Sequence, residues 1–557
     1  MARPVEANPI DASGAGSDSS GVARSALSRT HDLEVVVILA ILVLFGLGLR
    51  LKGVSSIGFA EDEANKIDAV RSYKQGDIHP NAEHPMLMKS LMYVSMRVAE
   101  TWNAASASKI SDEAALRFPN ILFGALAVVP LYLLTAALFD RRTGLWAAAL
   151  WAFGLNAITY NRIAKEDTLL VFFMLFGFYF YLRGKQTSGF ESKRKRRSYI
   201  LSGASWGLMM ASKYFPHYFG LNALYHYLYK MRKPAPDEPH QGVPGIYYIM
   251  VAVVFLIANP AVLLPQTWQY LNAYTSEQLL SHHGYLMAGH LYKNNPSSTP
   301  FWGTPFYFYA LFLAVKVPLP VIVAFLVGLF ENVRRWRHPG HGFLLLMFLL
   351  WIIPYSFFGA KWLRYTLSLM PFVYMIAAVG IVQLIRLLAS LFKAMGAHGS
   401  ELSATATALI LFIALPAGTA YASAPHYAAY TNALGGGRVG YYFPHDEFYD
   451  DGLREAIRFV CENAPAGATI AHETPGAARY YLEKYNRTDL ESRVLSAADF
   501  YLEDELKKPA YIIVQSGRTY FENQDKLREV RATLPKVYEV KVEGVSAAEV
   551  YATQQSR

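Results

Sequence analysis

Apolar residues occur along the chain in long blocks, separated by short polar segments that are rich in basic residues. Many blocks have about 20 residues, the length at which a helix crosses about 30 Å of hydrocarbon. This pattern predicts a polytopic α-helical membrane protein with about eleven spans. The predicted spans are 34–51, 117–139, 145–160, 168–183, 199–214, 216–229, 243–264, 305–330, 342–359, 366–386 and 402–421.

The pattern changes after residue 422, where the apolar runs shorten and Gly, Pro and charged residues return. Residues 450–465 are typical of a helix with an aspartate near its N-cap, and residues 468–473 and 510–515 are typical of strands. Three regions are therefore predicted. They are a disordered cytoplasmic tail over 1–33, a transmembrane domain over 34–421 and a small soluble α/β domain over 422–557.

Composition supports the membrane class, because 53% of the 557 residues are hydrophobic and only 17% are charged. The net charge of +9 lies in short clusters between apolar blocks, as in 191–198 and 332–339. Such clusters follow the positive-inside rule and argue against nucleic-acid binding. With eleven spans, the rule predicts a cytoplasmic N-terminus and an extracytoplasmic C-terminal domain, and we expect the protein to lie in the plasma membrane. The single cysteine, Cys461, excludes an intramolecular disulfide.

Three adjacent acids, Glu61, Asp62 and Glu63, lie shortly after the first apolar block, at the start of the predicted outer segment 52–116. The short segment 161–167 is predicted on the same face of the membrane. We therefore expect the carboxylates of the two segments to line one cavity at the membrane surface. The second segment has the sequence NRIAKED, with the charged residues Arg162, Lys165, Glu166 and Asp167.

A carboxylate beside a basic group at a water–lipid boundary suits glycosyl transfer from a lipid-linked phosphate sugar. The carboxylate accepts the proton of the acceptor hydroxyl as the C–O bond forms, and Arg or Lys stabilises the leaving phosphate.

Two other functions are alternatives to glycosyl transfer. The protein could be a secondary transporter or lipid flippase, or it could be a membrane-anchored assembly protein. The transporter would need ionisable residues near mid-membrane and broken helices in repeated halves. The assembly protein would bind its partner through residues 440–557 alone.

Six short motifs resemble those of the GT-C superfamily, and in particular the protein-O-mannosyltransferase-like and aminoarabinose-transferase-like enzymes of the glycosyltransferase family 39 type. The resemblance covers about residues 34–440. The motifs are the pair Asp62-Glu63, HPMLMK (84–89), Arg162 with Asp167 five residues later, KVPLP (316–320), KWLRYTLSLMP (361–371) and YAAYTNALGGG (427–437).

The resemblance implies a GT-C fold and an inverting enzyme that transfers one sugar from a polyprenyl-phosphate donor to a protein, lipid or glycan acceptor. It implies that Asp62 is the catalytic base, that Glu63 supports the site, and that Asp167 is a second acid paired with Arg162. It also implies positions near the donor phosphate for Lys316 and Arg364. Two further residues of the donor site would shape the first outer segment, namely His84 and Lys89.

Three features stay open at the level of sequence. The run AKED does not decide whether Glu166 or Asp167 faces the cavity. The acids within 446–451 fit a helix cap and turn. His282 and His283 would ligate a metal only with partners that the sequence does not identify. No metal site is therefore predicted, although a divalent cation is compatible with a phosphate-linked donor.

Overall fold

The helical part of the chain and a small mixed sheet are both present in the computed structural model. In the described ranges, eighteen α-helices precede residue 423 and five lie after it. The structure describes residues 19–187, 192–229, 242–276, 284–295, 303–505 and 507–553.

The first part of the chain is helical, apart from a short hairpin between α12 and α13. The last two helices, α17 and α18, are joined by a π-helical turn over Ile410–Ala414. The helices are α1 (Ser19–Leu51), α2 (Glu61–Tyr73), α3 (Met86–Ala105), α4 (Asp112–Leu126), α5 (Val128–Leu138), α6 (Arg141–Phe153), α7 (Leu155–Asn161), α8 (Asp167–Gln186), α9 (Lys193–Ser212), α10 (His217–Leu228), α11 (Ile246–Ala258), α12 (Pro265–Thr275), α13 (Phe308–Lys316), α14 (Leu319–Arg334), α15 (Pro339–Phe357), α16 (Met370–Ala394), α17 (Ser400–Leu409) and α18 (Leu415–Ala422).

Six helical stretches within the described ranges are long and apolar enough to cross a membrane, by length and composition. Each coincides with a predicted span, which confirms an integral membrane protein. The other five predicted spans also fall on helices, but these are short, interrupted or, like α9, begin with a run of basic residues. The count of eleven spans therefore stays a prediction. The six stretches are Asp32–Leu51, Asp112–Leu138, Asp167–Gln186, Pro339–Phe357, Met370–Ala394 and Ser400–Ala422.

The helix α1 begins at Ser19, earlier than the predicted start at 34 and within the segment predicted as a tail. Residues 1–18 of that segment lie outside the described residues. The predicted division of the chain into three regions therefore stays a prediction.

A fully buried arginine, Arg50 at the end of α1, fixes the break between α6 and α7. Its guanidinium donates to the carbonyl oxygens of Trp151 and Ala152, both at 3.2 Å, and to Oδ1 of Asn161 at 3.1 Å. Carbonyls in the last turn of a helix have no intrahelical partner, and a cation there also complements the helix dipole. Asn161 in turn donates to Oγ1 of Thr168 at 3.0 Å. The connection between α7 and α8 is therefore anchored to α1.

The C-terminal part contains a five-stranded sheet with the strand order β4-β3-β5-β7-β6. β3 pairs in parallel with β4 and β5, whereas β7 is antiparallel to β5 and β6. The predicted strands over 468–473 and 510–515 are confirmed as β3 and β5. The elements are α19 (Pro444–Phe448), α20 (Leu453–Asn463), β3 (Thr469–His472), α21 (Pro475–Lys484), β4 (Glu491–Val494), α22 (Leu502–Glu505), β5 (Ala510–Gln515), α23 (Gln524–Thr533), β6 (Lys536–Val542) and β7 (Val545–Ala552). A separate hairpin of β1 (Tyr285–Met287) and β2 (His290–Tyr292) precedes them.

The sheet domain shares a hydrophobic core with the early helices and does not stand apart from them. Phe59 and Ile67 of the α2 region and Met88 of α3 belong to the same buried cluster as Ile457 of α20 and Tyr481 of α21. Burial of apolar surface is the main favourable contribution to such an association. The first segment after α1 is therefore packed between the helix bundle and the C-terminal domain.

Glu473, directly after β3, is a buried carboxyl group in the C-terminal domain. Ser496 donates to its Oε2 at 2.7 Å and Asn523 donates to its Oε1 at 2.7 Å. Burial raises the pKa of Glu473 from 4.5 to about 7, against smaller opposing effects of these hydrogen bonds and of Arg518. The folded protein therefore binds one more proton than the unfolded chain between these pH values. Its stability falls as the pH rises from about 4.5 to about 7.

We expect Arg50→Met to lower the free energy of unfolding by about 2 kcal/mol or more, because each buried carbonyl left without a donor costs about 1–3 kcal/mol. Thermal unfolding of the detergent-purified protein measures the change. Arg386→Ala, at an exposed position of α16, is the control and should leave the unfolding temperature unchanged. Equal unfolding temperatures for Arg50→Met and the wild type would contradict the anchoring role of Arg50.

We expect Glu473→Gln to remove most of the pH dependence that Glu473 confers. A pKa change from 4.5 to about 7 corresponds to up to about 3 kcal/mol, so at about pH 8 the variant should be more stable than the wild type. The measurement is the unfolding temperature between about pH 5 and pH 8. Glu462→Gln, which changes an exposed carboxylate of α20, should follow the wild type. A parallel decline in the wild type and Glu473→Gln would refute this origin of the pH dependence.

Candidate active site

The three acids after the first span form the first turn of α2. The residue before them, Ala60, has no side chain that caps a helix, and Oε2 of Glu63 accepts its backbone N–H at 3.1 Å instead. Carboxylates in the first turn also complement the positive end of the helix dipole. The sequence EDE therefore begins a helix, and Glu61, Asp62 and Glu63 point toward three different sets of partners.

Glu63 is buried and forms a bidentate ion pair with Arg117 of α4, with N–O distances of 2.6 and 2.8 Å. Arg117 also donates to the carbonyl oxygens of Ile57 and Gly58, at 2.9 and 2.6 Å. The backbone N–H of Ala164 donates to Oε1 of Glu63 at 2.9 Å. Glu63 therefore joins α2, α4 and the connection between α7 and α8, and its role as a supporting residue of the site stays a prediction.

Asp62 is 35% exposed and receives three donors, all on Oδ2. Lys165 Nζ lies at 3.1 Å, Arg364 Nη1 at 2.8 Å and the Tyr449 hydroxyl at 2.9 Å. Although burial raises the pKa of Asp62, Lys165 and Arg364 hold it well below its usual range. No hydrogen-bond donor to Oδ1 is found among the residues that the structure describes. Asp62 is thus an ionised carboxylate with three donors on Oδ2 and none from the described residues on Oδ1.

Asp167, the first residue of α8, forms an ion pair with Lys213 at 2.6 Å. Arg162 instead donates to the carbonyl oxygen of Pro425 at 3.3 Å and lies over the ring of Tyr427. The predicted pair of Arg162 and Asp167 is therefore wrong. The reason is the turn after α7, which directs Arg162 toward the segment that follows α18 and Asp167 toward the end of α9.

Glu166 is buried against α2 and pairs with Lys66 at 2.5 Å. His84 lies at 3.9 Å from the same carboxylate. Burial holds the pKa of His84 well below its usual value. Neighbouring residues in the run AKED are thus divided between two partners, since Glu166 faces Lys66 and Asp167 faces Lys213.

Lys89 of α3 binds the backbone of the segment before it, and its predicted place in the donor site stays a prediction. Its ammonium donates to the carbonyl oxygens of Asn81 at 2.5 Å, His84 at 2.9 Å and Pro80 at 3.4 Å. Burial lowers the pKa of Lys89 to about 7. Its charge therefore depends on pH near neutrality.

Lys316, at the end of α13, lies away from Asp62 in a buried network. Its ammonium contacts Glu447 at 2.9 Å and donates to the carbonyl oxygens of Ala428 at 3.1 Å and Tyr430 at 2.9 Å. These bonds hold the segment that follows α18 against α13. A contact of Lys316 with a donor phosphate stays a prediction.

The acids within 446–451 lie in the first turn of α19 and in the turn that precedes α20, so the predicted turn is confirmed, but they are also buried and have ion-pair or hydrogen-bond partners. α20 begins at Leu453 after Gly452, and neither aspartate before it supplies a side-chain cap. The only feature of the sequence that could have indicated these buried contacts is the high density of acids in the aromatic run FPHDEFYDDG. The partners are Tyr285 for Asp446, Lys316 for Glu447, Arg518 for Asp450 and His426 for Asp451.

A cavity of about 60 Å³ is lined by Glu63, Arg162, Tyr427 and Tyr449, among others. Asp62 and Asp167 are not part of its lining. Across the described ranges, no group of three or more His, Cys, Asp or Glu side chains could hold a metal ion. His282 and His283 lie outside the described residues.

The Asp62 carboxylate contacts two cationic side chains, Lys165 and Arg364. One acid is therefore matched by two bases at this point, so an anion could bind beside the carboxylate without a large electrostatic penalty.

Residues 99–263 match the family model described as dolichyl-phosphate-mannose-protein mannosyltransferase. No curated protein has a significantly similar sequence. Among solved structures, ArnT from Cupriavidus metallidurans bound to undecaprenyl phosphate is similar with a TM-score of 0.51 and 12% identity, over 93% of this chain and 97% of that one. AglB, the oligosaccharyltransferase from Archaeoglobus fulgidus, in complex with an inhibitory peptide and a dolichol-phosphate, has a TM-score of 0.50 and 12% identity, over 94% and 75%.

The family match and the structural matches cover overlapping parts of the chain. The family match lies within the helical part of the chain, and the structural matches extend over the C-terminal domain as well. The chain is therefore an integral membrane protein that shares its fold with ArnT and AglB, and its residues 99–263 are similar to the mannosyltransferase family.

Proposed function

We propose that this protein is an inverting glycosyltransferase that uses a polyprenyl-phosphate sugar and takes Asp62 as its general base. The observation that carries the proposal is the asymmetry of the Asp62 carboxylate. Lys165, Arg364 and Tyr449 all contact Oδ2, while no described residue donates to Oδ1, which would accept the proton of an acceptor hydroxyl. A general base needs an unprotonated oxygen within hydrogen-bond reach of the proton that it removes.

The surplus of positive charge around Asp62 supports an anionic donor. Arg364 donates to Asp62 through Nη1, and a guanidinium carries five N–H groups in a fixed fork that fits a phosphate. ArnT and AglB, the structural neighbours, were solved with undecaprenyl phosphate and dolichol-phosphate, respectively. We therefore assign the donor phosphate to Arg364, with Lys165 beside it, and the lipid tail to the bilayer.

In the proposed reaction, the acceptor hydroxyl attacks the anomeric carbon while its proton passes to Oδ1 of Asp62. The bond between the anomeric carbon and the phosphate oxygen breaks, and polyprenyl phosphate leaves with its electron pair. A single displacement of this kind inverts the anomeric centre. Asp62 has a low pKa while Arg364 pairs with it, so a phosphate that draws Arg364 away would make Asp62 a stronger base.

The acceptor and the side of the membrane are part of the same proposal. Asp62, the connection between α7 and α8, and the C-terminal domain lie together, so all three would face the extracytoplasmic side. The acceptor would be a protein, lipid or glycan that carries a free hydroxyl group. In this arrangement the sugar is transferred at the level of the lipid headgroups.

We expect Asp62→Asn to reduce transfer by about 10²–10⁴-fold, the usual contribution of a general base. The assay incubates the purified protein with a panel of polyprenyl-phosphate sugars, with and without membrane extract as acceptor, and measures released polyprenyl phosphate. Asp68→Asn, which changes an exposed carboxylate of the same helix, should retain wild-type activity. Near-normal transfer by a folded Asp62→Asn protein would exclude Asp62 as the base. Movement of the lipid sugar across liposomes without transfer would instead indicate a flippase.

We expect Arg364→Lys to weaken binding of the donor more than ten-fold, because lysine keeps the charge but loses the planar fork that binds two phosphate oxygens. The measurements are the KM for the donor and inhibition by added undecaprenyl phosphate. Arg454→Lys, which changes an arginine of α20 that contacts the carbonyl oxygens of Ser55 and Ser56, is the control. An unchanged KM and unchanged inhibition in Arg364→Lys would remove Arg364 from the phosphate site.

A further inference from the structure

The segment that leads into α20 meets the start of α2 at two consecutive residues. The backbone N–H of Glu61 donates to Oδ2 of Asp450 at 3.0 Å, and the hydroxyl of Tyr449 donates to Oδ2 of Asp62 at 2.9 Å. Two neighbours on one segment therefore hold two neighbours on the other. Asp62 is fixed both through the backbone before it and through its own carboxylate.

We propose that the C-terminal domain positions the catalytic base of this protein, and that Tyr449 is the positioning residue that orients Asp62. The inference rests on the proposed function, because it takes Asp62 as the base. It goes further in giving a role in the reaction to residues of the C-terminal domain, which none of the sequence motifs includes.

Backbone conformation supports a special role for this segment. Tyr449 and Asp450 have φ angles of 43° and 66°, in the left-handed region that residues other than glycine rarely adopt. Strained residues of this kind persist only where the surrounding structure holds them, and they cluster at functional sites. Here Asp450 accepts hydrogen bonds from two side chains at the carboxyl end of β5. Gln515 Nε2 lies at 2.9 Å and Arg518 Nε at 2.6 Å from its Oδ1.

A second clamp connects Glu61 to the N-terminus of α21. The N–H groups of Gly476 and Ala477 donate to the two oxygens of Glu61 at 2.8 and 2.9 Å. A Cβ atom at position 476 would lie 2.9 Å from Oε1 of Glu61, so glycine permits this close approach. The carboxylate also gains from the positive end of the dipole of α21.

The contact between Glu61 and α21 lies where a sheet of this kind usually binds a ligand, just beyond the carboxyl end of β3. From β3 the chain crosses to β4 on one side, while β5 lies on the other side of β3. Parallel α/β sheets bind ligands beyond the carboxyl ends of the strands at such a switch point, often with an anion on a helix N-terminus. In this protein the anion at that position is the side chain of Glu61. The domain therefore uses its ligand-binding edge to hold the helix that carries the base.

The hydroxyl of Tyr449 has a definite effect on Asp62. It contacts Oδ2 together with two cations, so the carboxylate cannot rotate freely and the direction of Oδ1 is fixed. A hydrogen bond to the ionised form also favours that form. Without the hydrogen bond from Tyr449, the pKa of Asp62 should rise. The acidic limb of the pH–rate profile for glycosyl transfer should then move to higher pH. The groups that face Asp62 from the elements around it are Lys165, Arg364, Tyr365 and Tyr449.

The test is Tyr449→Phe in the full-length protein, which removes only the hydroxyl group. We expect kcat for polyprenyl-phosphate release to fall about 10- to 100-fold, as for loss of a hydrogen bond to a charged group. The KM for the donor should be unchanged, and the acidic limb of the rate profile should move to higher pH. Arg479→Ala, which removes an exposed contact of the C-terminal domain with Asp68 of α2, should match the wild type in all three measurements. Wild-type kcat and pH profile in Tyr449→Phe would overturn the proposal.

A double-mutant cycle tests the contact without an activity assay. Because the hydroxyl bonds to the Asp62 carboxylate, Asp62→Asn should change the unfolding temperature less in the Tyr449→Phe background than in the wild type. In the Arg479→Ala background the effect of Asp62→Asn should be additive. Additivity in both backgrounds would overturn the contact itself. A third outcome is that Tyr449 and Asp62 are coupled but the Asp62→Asn variant remains fully active. This result would overturn Asp62 as the base and leave the structural contact intact.

Discussion

The ion pair of Glu63 and Arg117 is the interaction on which the site depends. Burial of two charges is costly, and such a pair is tolerated when further hydrogen bonds satisfy the remaining groups. Here Arg117 also binds backbone carbonyls of the segment before α2, and Glu63 accepts the backbone N–H groups of Ala60 and Ala164. Since Asp62 precedes Glu63 directly, the pair fixes where the Asp62 carboxylate lies relative to Lys165.

Other buried ion pairs extend this arrangement to segments that are distant in the sequence. Lys66 with Glu166 joins α2 to the start of α8, and Arg518 with Asp450 joins the edge of the sheet to the segment before α20. Apolar helices in a membrane have little hydrophobic preference for one packing over another. A buried charge that has a single partner in the correct geometry does favour one packing arrangement over the others. We infer that these pairs serve mainly to specify the geometry around Asp62, and that apolar burial supplies most of the stability.

The sequence was informative wherever the signal was local. Apolar blocks located the helices, alternation and turn residues located β3 and β5, and acids placed unusually close to a membrane span pointed to Asp62 and Glu63. Contacts between distant segments were not accessible in this way. The expected pair of Arg162 and Asp167 failed because five residues of spacing do not reveal a turn between two helices. Tyr449 was missed because its partner lies 387 positions away, and nothing near it in the sequence indicates that contact.

In the proposed reaction, the pairing of Arg364 with Asp62 also limits when the base is active. Without a donor, Arg364 and Lys165 keep Asp62 ionised but weakly basic, because its charge is already compensated. An anionic phosphate competes for Arg364, and the same event that brings the sugar into place then raises the basicity of Oδ1. Tyr449 continues to hold Oδ2 during this exchange, since its hydroxyl is neutral and a phosphate does not attract it as strongly. Tyr449 thus orients the base, whereas Arg364 controls its basicity. Only the contact of Arg364 with Asp62 changes when the donor binds.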